Sequence, residues 1–296
     1  MILSFFHDRD ERQASYRYRG AIPSKYLDLP MGDESAQVWV LSKITKASPD
    51  LVTKAKSLGK YVIADVCDAH LSLPYYRDVI ERADAVAVPT PLLAEFIWED
   101  FGRMATVIDD PYEFEDVLPH VRSNHLLWFG HASNYSGLAM FRPALEAYPL
   151  RMVSNIEGFI PWSKETMLEE FLKADIVLLP DSAPTKSCNR AVEAIRQGCF
   201  VVATPHPSLD GIPGIWVGDL LKGVAWASSH SQEANERLMK SQAYVRVRFS
   251  PARVANAWKT LAMACASNSA AAISPGLGGP TSIANAPVTP LMSSPI

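Results

Sequence analysis

Residues 174–205 read ADIVLLPDSAPTKSCNRAVEAIRQGCFVVATP. Two apolar runs of strand length, residues 176–179 and 200–203, bracket a polar loop and a short stretch of helix formers. Continuous runs of branched residues suit parallel strands covered on both faces, because neither face meets water. Residues 189–197 favour a helix, and Gly198 stands where a left-handed residue would end it. The stretch is therefore one βαβ unit. It gathers Lys186, Ser187, Asn189 and Arg190 at the helix N-terminus, where unpaired backbone N–H groups and the positive end of the helix dipole favour an anion. Phosphate is the ligand that this chemistry predicts.

The plainer alternative for these residues is an exposed basic turn that only caps the helix. Two cations with Ser and Asn are more than capping requires, and the loop follows a strand's C-terminal end, where open α/β sheets bind ligands. Glu193 lies among Ala191, Val192, Ala194 and Ile195. A carboxylate on so apolar a helix either pairs with Arg190 or Gln197 one turn away or accepts from a ligand's hydroxyls.

The order Lys186-Ser187-x-Asn189-Arg190, then Glu193-Ala194, Gly198 and Val201-Val202-Ala203-Thr204-Pro205 resembles the donor-binding segment of GT-B glycosyltransferases of the group 1 (family four) type. The resemblance implies that the loop and helix start hold the diphosphate of a nucleotide-sugar and that Glu193 holds its ribose. It also departs from the family, which carries a second glutamate eight positions earlier, where this chain has Thr185. Whether the sugar is transferred with retention or inversion is left open at this point.

Working outward, the 296 residues suffice for two domains of ordinary size. Hydrophobic content of 48%, charged content of 20% and a net charge of −4 describe a soluble globular protein without the basic footprint that nucleic acid requires. Cys67, Cys188, Cys199 and Cys265 lack CxxC spacing and read as reduced thiols, with neither disulfide nor zinc expected. The opening MILSFF is too short for a signal peptide, and no run approaches the length of a membrane span. A cytoplasmic protein with at most peripheral membrane contact is expected.

The alternation of strands at 1–6, 38–41, 61–64, 85–88 and 106–108 with helices at 48–58, 75–82 and 91–101 predicts an open parallel sheet. Asp109-Asp110-Pro111 and the acidic run after it break the pattern. A second sheet follows, with strands at 126–129, 151–153, 176–179, 200–203 and 215–217 and helices at 138–147, 164–172 and 189–197. Helices at 233–247 and 251–264 close the chain. The expected organisation is an N-terminal Rossmann-like acceptor domain (1–115), a Rossmann-like nucleotide-sugar domain (120–250), a bracing helix (251–266) and a disordered tail (267–296), the last because that segment has no charge and little apolar periodicity.

Outside the βαβ unit, Gly130, Ser133 and Asn134 follow the first strand of the second domain, where Gly admits close backbone approach and Ser and Asn can meet a phosphate or base. A simple turn is the alternative. Asp65, Asp68 and His70 collect at a strand's C-terminal end, giving Asp68 and His70 as candidates for acceptor chemistry. Arg17 and Arg19 form either an interdomain contact or a solvated loop. Asp8-Arg9-Asp10 matches a metal-binding DxD pattern, but it stands too early in the chain for that role and is read as chance.

The resemblance thus implies a two-domain, GT-B-like, metal-independent hexosyltransferase. Its donor is a nucleotide-diphosphate sugar, with no separate cofactor, and its acceptor is a glycan, a lipid-linked group or a small molecule. Lys186 and Arg190 stabilise the departing diphosphate. The alternatives are a sugar-nucleotide epimerase, with Asp68 and His70 facing the donor, or a catalytically silent nucleotide-sugar-binding protein.

Overall fold

The computed structural model describes residues 2–8 and 10–272, and the two predicted alternations become two parallel sheets. The first contains β1 (Leu3–Phe6), β2 (Val38–Ser42), β3 (Tyr61–Asp65), β4 (Ala85–Val88) and β5 (Ala105–Val107), side by side in chain order. Between β1 and β2 run α1 (Ala14–Tyr16), a π-helical turn (Arg17–Ala21) and α2 (Ile22–Tyr26). Then α3 (Ser48–Ser57), α4 (Pro74–Arg82) and α5 (Pro91–Phe101) each return the chain to the next strand. Val52, Tyr76, Val79, Leu93 and Ile97 from these three helices pack on Trp39, Leu41, Val62, Ala64 and Val88 of one sheet face.

Alternate strand residues point the other way, as the pleat requires. Leu3, Phe5, Val38, Val40, Ile63 and Ala87 meet Val254, Trp258 and Ala262 of the last helix, α11 (Pro251–Ala272). Trp258 is fully buried edge-on to Phe5, with ring centroids 5.5 Å apart. Helix α11 thus completes the core that β1 begins.

The second sheet has the order β11-β10-β9-β6-β7-β8 and is parallel at every pairing. Its strands are β6 (Leu126–Phe129), β7 (Leu150–Ser154), β8 (Ile160–Pro161), β9 (Ile176–Leu179), β10 (Phe200–Ala203) and β11 (Trp216–Val217). With them come α6 (Tyr135–Ala139), α7 (Lys164–Lys173), α8 (Asn189–Arg196), α9 (Leu220–Ser229) and α10 (Ser231–Arg248). The chain leaves β6 in one direction and returns beside it as β9, so strand order reverses between those two strands. Such a reversal opens a crevice at the strands' C-terminal ends.

Several expectations change. The helix at 138–147 is instead short α6 and a separate 3₁₀ turn at Arg142–Leu145, since Pro143 cannot donate the backbone bond that would join them. The polar connection after β1 is helical, and the chain inserts α9 where no element was expected. Helix α11 runs to Ala272, six residues into the stretch read as disordered; residues 273–296 lie outside the described residues. No helix among the described residues is long and apolar enough to cross a membrane.

Two segments join the sheets, residues 109–125 and the turn at Phe249, and they meet where the Tyr112 N–H donates to the Phe249 carbonyl at 3.0 Å. The first is fastened along α8. The Glu113 N–H donates to Glu193 at 2.7 Å, the Val117 N–H to the Arg196 carbonyl at 2.8 Å, and Gln197 Nε2 to the Glu115 carbonyl at 2.7 Å. Arg196 lies over the Tyr112 ring at 3.9 Å. At the end of α8, Gly198 adopts φ 76°, the expected left-handed cap. A Cβ there would strike the Leu118 carbonyl and come within 2.7 Å of His120 Nδ1, so the linker crosses at a spot only glycine leaves open.

Candidate functional site

The crevice between β6 and β9 is floored by the loops that follow those strands. Helix α6, which follows the first of these loops, touches the second: a Cβ on Gly137 would lie 2.5 Å from the Asp181 carbonyl oxygen, so glycine lets the two close on each other. Into this crevice runs the first turn of α8, whose N-cap, Cys188, offers no side-chain hydrogen bond. Among the described residues no side chain accepts from its leading N–H groups, so they can meet a ligand.

Arg190 rises from that turn toward the β6 loop. Its Nη1 donates to the Phe129 carbonyl at 3.3 Å and would be 3.3 Å from a Cβ at Gly130; Asn134 Nδ2 would be 3.6 Å from the same atom. Arg190, Gly130 and Asn134 are thereby one cluster, although 56 residues separate Asn134 from Arg190 in the chain. Among the described residues no carboxylate lies within salt-bridge range of Arg190, and burial pulls its guanidinium down to about 10. The residue is only partly buried, but a cation set against protein without a carboxylate partner is less well solvated than in water, and a bound anion would relieve that cost. Ser133 stands apart from the cluster, exposed, with its N–H and hydroxyl both on His131 Nδ1.

Lys186 takes a different direction. Its ammonium crosses the interdomain cleft to Asp68, whose other oxygen lies 3.4 Å from Lys43 Nζ. Burial pushes the Asp68 carboxyl up, but Lys186 and Lys43 more than offset it and hold it below the usual carboxylate range. Lys43 directly follows β2 and has φ 59°, a left-handed backbone that a non-glycine residue adopts only where its surroundings impose it. Nothing in its sequence context signals this residue.

The three ionisable groups at the end of β3 do not act together. Asp65 is fully buried and receives Arg19 through bonds of 2.6 and 3.1 Å, whereas Asp68 belongs to the lysines. His70 is exposed, edge-on to Tyr76 with ring centroids 5.6 Å apart. Among the described residues no group of three metal-binding side chains is assembled.

Neither reading of the early arginines as solvated survives. Arg19 is 1% exposed and also bonds the Ile108 carbonyl and Asp110, at 3.2 Å to the latter, with Trp258 4.9 Å below its guanidinium. Asp110 in turn accepts from the Ser187 hydroxyl at 2.5 Å. One buried arginine therefore connects β3, the linker and α11, and through Asp110 reaches the loop before α8. Arg17 pairs with Glu113 at 2.8 Å and lies 4.5 Å over Trp162. The π-helical turn sends its side chains in these separate directions, and such turns recur at functional sites.

Glu193 is 2% exposed and meets neither Arg190 nor Gln197 through its side chain. Its carboxyl accepts the Glu113 N–H at 2.7 Å, the Phe114 N–H at 3.3 Å and the Tyr18 hydroxyl. Burial pushes it up to about 7 against the pull of those donors. Asn189 is half-buried and has no side-chain hydrogen bond among the described residues, and Thr185 is buried, its carbonyl accepting from Thr90 Oγ1 at 3.1 Å.

No family model and no curated protein matches this sequence. Solved structures do. Anabaena HepE in complex with UDP and glucose superimposes with a TM-score of 0.71 at 12% identity, covering 90% of this chain and all of that one. The same protein with UDP-glucose gives 0.69 at 12% identity, over 89% of this chain and all of that one. An α1,3-fucosyltransferase gives 0.56 at 9% identity, over 88% and 90% of the two chains. The fold of this chain is GT-B, the architecture of these glycosyltransferases.

Proposed function

We propose that this protein is a glycosyltransferase that takes a sugar from a nucleotide-diphosphate donor held in the β6–β9 crevice and passes it to an acceptor presented by the N-terminal domain. The single observation that carries the reading is Arg190, a partly buried cation with no carboxylate partner among the described residues, set against Gly130 beside the N-terminus of α8. Diphosphate supplies the missing charge. HepE, which shares the fold, is described in complex with UDP-glucose, and a uridine diphosphate sugar is the first donor to try.

In this reading Gly130, Asn134 and Asn189 hold the phosphates through backbone and amide donors, and Ser187 is set beside them by Asp110. Lys186 exchanges Asp68 for the diphosphate, so donor binding loosens one interdomain ion pair. As the bond to the sugar breaks, charge grows on the leaving diphosphate, and Arg190 with Lys186 stabilises it from fixed positions. Asp68, released from Lys186, faces the cleft as the N-terminal domain's carboxylate for an acceptor hydroxyl. Glu193 reaches a ribose only if Tyr18 gives up its bond; otherwise it acts as the anchor of the linker. Asp65 and Asp68 already have cations as partners, and Lys186 and Arg190 supply the charge for the diphosphate in a reaction read as metal-independent. His70, turned toward Tyr76, lends nothing to an epimerase's acid–base pair.

The test is turnover of UDP-sugars, followed as slow donor hydrolysis where no acceptor is known. Lys186→Ala should lower it by about 10²-fold, the scale of losing one electrostatic stabiliser. Chelation of divalent ions should leave it intact. A folded Lys186→Ala protein with unchanged turnover would remove Lys186 from the mechanism, and absence of any hydrolysis in the wild type would favour a silent binding protein.

A further inference from the structure

Three charged side chains meet across the cleft: Lys43 and Asp68 from the N-terminal domain and Lys186 from the loop before α8. Lys43 stands between Ser42 and Ile44, which are 1% and 3% exposed, and the Ser42 hydroxyl is pinned further by donating to the Arg19 carbonyl at 3.0 Å. Between these two anchors the chain turns through φ 59°, a conformation disfavoured for lysine and kept only where the surroundings impose it. The turn follows β2 and brings Lys43 Nζ to 3.4 Å from Asp68 Oδ2, on the loop after the neighbouring β3. Lys186 meets the other oxygen, Oδ1.

The charges are uneven. Two ammonium groups share one carboxylate, and among the described residues neither lysine pairs with another acid. The Asp68 side chain is 12% exposed, against 29% for Lys43 and 45% for Lys186. Lys186 is therefore the partner free to leave toward water or a ligand. Asp68 is the group that cannot be left alone, because a carboxylate so far out of water needs a cation. With Lys43 in place, departure of Lys186 leaves a balanced pair; without Lys43, it would leave a stranded anion.

From these observations we infer that Lys43 is a positioning residue that makes Lys186 available: it holds Asp68 so that the diphosphate can take Lys186, and it does not touch the donor itself. The inference rests on the reading that α8 holds a nucleoside diphosphate. Asp68 then acts as an intramolecular competitor of the donor, and Lys43 sets how strongly it competes. Removing Lys43 leaves Lys186 as the sole cation on Asp68 and tightens that pair at the donor's expense. Removing the charge of Asp68 frees Lys186 outright. Two substitutions in the N-terminal domain thus act in opposite directions on a ligand bound by the other domain.

Titration calorimetry on the full chain with UDP, and with uridine as the control lacking phosphate, tests this in about 0.15 M salt, where charges more than about 8 Å apart are largely screened. Lys43→Asn removes the charge and supplies a residue that tolerates the left-handed turn. It should weaken UDP binding by about threefold or more, the scale of one partly exposed ion pair, and leave uridine unchanged. Lys43→Arg should bind UDP as the wild type does. Asp68→Asn should tighten UDP binding by a similar factor, and Lys43→Asn combined with Asp68→Asn should bind as tightly as Asp68→Asn alone. In a Lys186→Ala background, Lys43→Asn should change nothing. A loss from Lys43→Asn that persists without the Asp68 charge or without Lys186 would show the lysine acting on the ligand directly and overturn the inference, as would UDP affinity unaltered by Lys43→Asn. Equal losses for UDP and uridine would assign Lys43 to folding alone and overturn it likewise. Failure of the wild type to bind UDP would instead remove the donor reading on which the inference stands.

Discussion

Replacing Glu193 by glutamine should change the pH dependence of stability. The carboxyl is 2% exposed, and burial raises it from the ordinary 4.5 to about 7 in the folded protein. A group raised in the folded state stabilises fully below its unfolded value and loses that contribution as pH climbs through its folded value. Between about pH 4.5 and 7 the unfolded chain has released the proton while the folded chain still holds it. At about 1.4 kcal/mol per pH unit, the interval costs the wild type about 3 kcal/mol across that window. Glutamine cannot ionise, so Glu193→Gln is exempt from this loss, although its amide oxygen accepts from only one of the two linker N–H donors while its NH2 opposes the other, at a cost of about 1–3 kcal/mol at every pH. Urea unfolding of both proteins at steps from pH 5 to pH 8 gives the difference directly, and titrations common to both cancel. The variant should gain on the wild type by about 2.5 kcal/mol from pH 5 to pH 8 and level off above about 7. A stability difference that stays flat over the range would show that Glu193 titrates as an ordinary glutamate and that its burial among linker donors is misjudged.

Two further substitutions probe the framework behind the site. Arg19→Met should destabilise by about 3–5 kcal/mol, because it leaves Asp65 charged, buried and unpaired; adding Asp65→Asn should recover part of the loss in chemical denaturation. Equal stabilities of the single and double variants would contradict the buried pair. Gly198→Ala should lower the thermal midpoint, since the new methyl meets the Leu118 carbonyl and His120 and the backbone is held at φ 76°; an unchanged midpoint would mean that the linker does not cross there.

Much of the fold is legible in the sequence because parallel strands buried on both faces leave unbroken runs such as Ile176 to Leu179 and Phe200 to Ala203, and Gly198 marks its helix end. Periodicity failed where local chemistry intervened. Pro143 broke a helix that composition favoured, and the π-helical turn at Arg17–Ala21 has no repeating signature to read. The site divides along the same line. Lys186, Ser187, Asn189 and Arg190 are legible because one loop and one helix start place them together. Lys43, Asp110 and Tyr18 are invisible, since their roles come from strands and turns that meet only when two domains and a returning helix pack. Glu193 shows the limit: its helix and burial follow from its neighbours, but its partners come from a linker 80 residues earlier in the chain.

Arg190 offers the most direct measurement, because a cation placed for a ligand and a cation placed for stability respond oppositely to removal. Partly buried, with no carboxylate partner among the described residues and one long hydrogen bond to the Phe129 carbonyl, it contributes little to folding, so Arg190→Ala should stay close to the wild type in thermal stability. Titration calorimetry with UDP and with uridine, on both proteins, completes the comparison. The wild type should bind UDP far more tightly than uridine and gain about 2.7 kcal/mol of stability at a hundred times the dissociation constant. Arg190→Ala should lose at least about tenfold in UDP affinity, which is about 1.4 kcal/mol, and leave uridine unaffected. UDP binding that is no tighter than that of uridine, or that survives the loss of Arg190 undiminished, would show that the crevice between β6 and β9 does not hold a diphosphate.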